Sequence, residues 1–120
     1  MENHTNITLS LPSTHKRVIN HVLKKIIGNN YIDSIFLFGS CAKGAANENS
    51  DIDLFVITHD KIYDENHEAF DILYGSTDDI PLEDYISCDI LTATKEEFNF
   101  NSTPLIKKIK KEGIKLNGLL

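Results

Sequence analysis

The 120-residue chain has no tryptophan, one methionine, three prolines and two cysteines. Two thiols cannot staple a small scaffold in several places, so a disulfide-rich class is excluded, and Cys41 and Cys88 read as reduced packing residues. The histidines His4, His15, His21, His59 and His67 lack zinc-ligand spacing and read as surface residues. No apolar run approaches the roughly 18 residues of a membrane span. The opening Met1-Glu2-Asn3-His4-Thr5-Asn6 has neither the basic nor the apolar region of a secretory leader, which makes cytoplasmic residence the expectation. Positive charge is scarce as well: 12 Lys and Arg against 18 Asp and Glu leave a net charge of −6. Lys107, Lys108, Lys110, Lys111 and Lys115 crowd one C-terminal segment, so the remainder is more acidic still. Proteins that grip long nucleic acid usually present a basic face to the phosphates. A long polyanionic acceptor is therefore not expected, and the lysine cluster reads as a solvated helix face.

What remains is an ordinary apolar content in a length suited to one core. Residues 1–12 are polar enough to suggest a flexible N-terminus, with a single domain over 13–120. Ser13 is placed to cap a helix in which Val18, Ile19, Val22, Leu23, Ile26 and Ile27 recur at helical spacing, stopping at Gly28. Ile32 to Phe38 predicts a central strand, apolar on both faces near its end. Gly39-Ser40 opens a short helix ending near Gly44, and Asp51 to Thr58 predicts a second strand. A helix over Asp64 to Tyr74, a loop containing Pro81 and a third strand over Tyr85 to Leu91 follow. Residues 76–79 read as plain loop. Thr94 and Glu97 have capping-box spacing, and Ser102-Thr103-Pro104 predicts a last helix that Gly113 stops. Ile114 to Leu116 suits an edge strand. Such alternation indicates an α/β (α+β) fold with a small mixed sheet flanked by helices.

The densest information lies in Phe38-Gly39-Ser40-Cys41-Ala42-Lys43-Gly44 and in Asp51-Ile52-Asp53. Alternate strand positions share a face, so Asp51 and Asp53 stand about 7 Å apart on one side of the sheet. Crowded carboxylates repel and resist desolvation unless a cation joins them, and oxygen-seeking Mg²⁺ suits an all-carboxylate set. A glycine-bounded turn next to them can hold phosphates with backbone N–H groups. Asp89 strengthens the pattern, because a mid-strand aspartate is disfavoured by propensity and costly to bury. If its strand lies beside that of Asp51 and Asp53, three carboxylates converge, a set suited to two divalent cations about 4 Å apart. Competing motifs fail: Ala45-Ala46 stand where a P-loop needs Lys and Ser or Thr, and Phe38 replaces the first glycine of a nucleophile elbow. Cys41 near a helix start could have thiolate character, but packing is the simpler reading. Tyr63, Tyr74 and Tyr85 are candidates to stack a base, with core packing as the alternative.

Gly39-Ser40, ten residues, then Asp51-x-Asp53 and a later strand aspartate resembles the DNA polymerase β-like nucleotidyltransferase superfamily. Residues 40–44 match its Gly-Ser-x-Ala-(Arg/Lys)-Gly form, and the ending from Ile106 to Leu116 is similar to that of its minimal nucleotidyltransferases. The resemblance implies the polymerase β-like fold and a metal-dependent transfer of NMP from an NTP, ATP for preference, to a hydroxyl. It implies that Gly39, Ser40 and Lys43 bind the nucleotide. Asp51, Asp53 and Asp89 are implied as catalytic residues and as ligands of two Mg²⁺ ions, with Mn²⁺ able to substitute. Stand-alone members often serve as antitoxins that adenylylate a small HEPN-domain RNase toxin, the partner expected here. The alternatives are a small-molecule enzyme of the aminoglycoside type, which usually has an added helical domain, and a non-catalytic binding antitoxin. Lys43 keeps the charge of the arginine found in many relatives but lacks its bidentate geometry.

Overall fold

The computed structural model describes residues 11–27, 29–59 and 70–116. Helix α1, Ser13–Ile26, buries Val18, Ile19, Val22, Leu23 and Ile26 along one stripe. Its N-cap is Pro12, with φ −57° and ψ 151° and no side-chain hydrogen bond, so Ser13 lies inside the helix and does not cap it. The proline ring fixes φ at a value suited to helix entry, and the turn begins directly after it. The helix ends at Ile26, with Ile27 as C-cap; the expected stop at Gly28 lies outside the described residues.

Four strands form one mixed sheet: β1, Ile32–Phe38; β2, Ile52–Thr58; β3, Cys88–Thr94; and β4, Ile114–Lys115. Their spatial order is β3-β2-β1-β4, so β1 and β2 are central and, among the described residues, β3 is an edge. β1 pairs antiparallel with β2 and β4, whereas β2 and β3 run parallel. The third strand starts and ends three residues later than its sequence predicts. Its partner sets its span, since Ile52 pairs with Cys88 and Thr58 with Thr94. Ahead of it, Leu82–Asp84 makes a 3₁₀ turn and Tyr85 begins an extended approach.

Two apolar layers sandwich the sheet. On one face, Ile35, Leu37, Ile52, Leu54 and Val56 pack against α1 and against Leu73 of α2, Phe70–Tyr74. The expected start of α2 at Asp64 lies outside the described residues, as do His4, Tyr63 and His67. On the other face, Phe55 and Ile57 meet Ile106 and Ile109 of α4, Pro104–Glu112. Phe98 of α3, Lys95–Phe100, completes this layer, stacking on Phe36 at 5.8 Å between ring centroids. Thr94 ends β3 and also caps α3: its hydroxyl accepts from Glu97 N at 3.0 Å, while Glu97 Oε1 accepts from Thr94 N at 2.8 Å. Thr103 and Pro104 open α4 as their residue types favour, and the chain leaves the helix at Gly113 in an extended conformation.

Residues in three places behave differently from their sequence reading. His15, expected at the surface, is buried against the loop before β2, with Nε2 2.7 Å from Ser50 O. Leu11, just before α1, is buried in the core. In the 76–79 loop, Ser76 is buried and donates to Leu73 O, while Asp79 faces Lys25 and His21 on α1. Hydrogen bonding from Lys25, then His21, pushes the Asp79 carboxyl down to about 2. Among the described residues, no helix is long and apolar enough to cross a membrane.

Candidate active site

The end of β1 and the beginnings of β2 and β3 meet at one end of the sheet. Phe38 is opposite Asp53 across the antiparallel pair, and Asp53 is opposite Asp89 across the parallel pair. Neighbouring strands lie about 4.8 Å apart, so the two aspartates start from adjacent backbones and share a face. It is the face that carries Phe55 and Ile57, farther along the strand under α4. Asp53 is half-buried on the central strand; Asp51 and Asp89 are exposed on either side.

Electrostatics single out Asp53. Burial first, then the charges of Asp89 and Asp51, raise its carboxyl above the ordinary aspartate value. The two thiols lie under the same carboxylates. Burial, then Asp53 and Asp51, push Cys41 up to about 11; burial, then Asp89, Asp53 and Cys41, push Cys88 up to about 12. Both are therefore protonated at neutral pH. Cys41 is buried and its thiol donates to Asp51 O at 3.4 Å, fixing the backbone that presents the first carboxylate. This packing role replaces any thiolate role.

The turn after β1 is shaped around Asp53. Gly39 has φ +73°, and a Cβ there would collide with Asp53 Oδ2. Only a residue without a side chain combines this conformation with so close an approach. The anticipated short helix is a 3₁₀ turn over Gly39–Cys41. The amides of Ala42, Lys43 and Ala45 bond to Gly39 and Ser40 carbonyls. The first amides of such a turn have no partner within it, which leaves Ser40 N–H and the Ser40 hydroxyl as donors for an anion. A turn this short has little macrodipole, so phosphate binding would rest on individual donors. Lys43 follows on the same turn, but its ammonium lies 3.4 Å from Glu112 Oε1 at the end of α4.

The donor set fits a hard cation in kind: three carboxylates, with the Cys41 thiol buried and turned to Asp51 O. Their side chains are not drawn to one point. Among the described residues, no three His, Cys, Asp or Glu side chains form a metal-binding group. Of the tyrosines considered for base stacking, Tyr74 bonds to Thr92 Oγ1 at 3.1 Å, and Tyr85 is 72% exposed before β3. Glu112 had no signal in the sequence, since its partnership with Lys43 exists only in the folded chain.

Residues 19–116 match the nucleotidyltransferase domain family. No curated protein matches the chain significantly. The fold is similar to that of a toxin–antitoxin crystal structure with AMP-PNP, at 24% identity and a TM-score of 0.55, over 85% of this chain and 72% of the other. It is also similar to a mutant of the toxin–antitoxin MntA-HpeT, at 20% identity and a TM-score of 0.52, over 85% and 70%. Likeness at these identities is likeness of fold.

Proposed function

The chain belongs to the nucleotidyltransferase domain family, and from that premise we propose that it transfers AMP from ATP to a hydroxyl of a partner protein, as the antitoxin of a HEPN-domain RNase toxin. The observation that carries the transferase reading is the in-register pair Asp53 and Asp89 beside a turn whose Gly39 leaves room for the Asp53 carboxylate. The protein-acceptor reading draws on the toxin–antitoxin neighbours, the acidic balance and the open edge at Asp89.

In the proposed reaction Gly39 and Ser40 receive the β- and γ-phosphates through Ser40 N–H and its hydroxyl. Asp51, Asp53 and Asp89 would hold Mg²⁺, which when bound neutralises phosphate charge and polarises the α-phosphorus. Asp89, on the open edge, orients the acceptor hydroxyl and takes its proton. The hydroxyl oxygen bonds to the α-phosphorus, the bond from that phosphorus to the bridging oxygen breaks, and pyrophosphate leaves. Positioning and charge neutralisation supply the catalysis.

The test is intact-mass spectrometry of the neighbouring gene product after incubation with this protein, ATP and Mg²⁺. One adenylate should be added per modified site, and Asp51→Asn, Asp53→Asn and Asp89→Asn should each abolish the addition. An unmodified partner together with efficient adenylylation of an aminoglycoside would replace the antitoxin reading with the small-molecule one. Undiminished labelling by Asp51→Asn/Asp53→Asn would remove the site itself.

A further inference from the structure

Glu112 is poorly placed for its own helix. It is the last residue of α4, where the negative end of the helix dipole disfavours a carboxylate. Its Oε1 is buried and has no hydrogen bond. Lys43 Nζ lies 3.4 Å from it, close enough to attract but longer than a good hydrogen bond. The position is held firmly: two residues on, Ile114 pairs with Leu37 of β1, the strand that runs into the Gly39–Cys41 turn. The fold therefore places a fixed, under-satisfied carboxylate beside the one lysine of the turn.

We propose that Glu112 is a latch on Lys43. Its carboxylate occupies the ammonium in place of a phosphate, and an arriving polyphosphate must take Lys43 away from it. Glu112 is then a positioning residue that sets nucleotide affinity through Lys43. The inference rests on the turn being a nucleotide site. Both partners are partly exposed, 50% for Lys43 and 37% for Glu112, so the exchange needs only side-chain rotation.

Calorimetric titration of ATP with Mg²⁺ into wild type, Glu112→Gln, Lys43→Met and the double variant tests this. Glu112→Gln should bind about two- to fivefold more tightly, the scale of one partly exposed ion pair. In turnover the gain should lie in KM and not in kcat, and it should shrink in high salt. Lys43→Met should bind more weakly, and the double variant should match it. Unchanged or weaker binding by Glu112→Gln overturns the latch while leaving the site in place. A gain that persists in the Lys43→Met background also overturns it, because Glu112 would then act by repelling phosphate directly. Wild type that binds no ATP overturns the nucleotide-site reading, and the latch with it.

Discussion

Replacing Gly39 with alanine should damage the turn by two separable routes. At φ +73° a Cβ meets the backbone sterics of the left-handed region, costing about 1–2 kcal/mol. The same methyl collides with Asp53 Oδ2, so the carboxylate must retreat by about 1 Å to reach van der Waals contact. Overpacking of this kind adds about 1–2 kcal/mol, at the lower end because Asp53 is only half-buried. The sum, about 2–4 kcal/mol, corresponds to a fall in melting temperature on the order of 10 °C for a domain of this size. A thermal double-mutant cycle separates the routes. In an Asp53→Ala background the obstructing carboxylate is gone, and Gly39→Ala should cost only the conformational part. In an Asp53→Asn background a planar group of similar size persists, and the full cost should return. Equal losses in all three backgrounds would refute the steric link between turn and carboxylate. No loss in any would refute the positive φ.

Two further expectations follow from the same geometry. Asp53 has its folded-state pKa raised, chiefly by burial, so its ionised form costs stability once the pH exceeds the ordinary value of 3.8. Without divalent ions, Asp53→Asn should therefore melt above wild type at neutral pH, and the gap should close as the pH falls towards 3.8; a wild type that melts higher at neutral pH would contradict this. Thr94→Ala removes the hydroxyl half of the α3 capping box and should cost about 1 kcal/mol, read from denaturant midpoints; a neutral result would mean that the Glu97 half suffices.

The parts of this fold legible in the sequence are those that local chemistry decides. The α1 stripe, the Thr94 capping box, Thr103-Pro104 and the two-sided apolar run of β2 each follow from side chains within a few residues of one another. The parts that were not legible depend on partners distant in sequence. The span of β3 is set by β2, from Ile52 to Thr58, and not by its own apolar run. His15 is buried because a loop 35 residues later supplies Ser50 O. Asp79 gains its role from Lys25 and His21 on α1. At the candidate site, Asp51, Asp53 and Asp89 stood out as carboxylates in apolar strands. The positive φ of Gly39 and its close approach to Asp53, and the pull of Glu112 on Lys43, required the folded arrangement.

The edge position of β3 ties Asp89 to solubility as well as to chemistry. An outer strand offers an unpaired row of N–H and C=O groups to any other chain, and a charged side chain along it discourages such pairing. Asp89 is exposed on that strand, two residues from Leu91, which is itself 43% exposed. An apolar replacement at 89 would thus strip the edge of its guard while also emptying the candidate site of a carboxylate. Lost transfer in such a variant would report on association as much as on catalysis, and lysine, which keeps a charge on the edge but supplies no carboxylate, is the replacement that keeps the two apart.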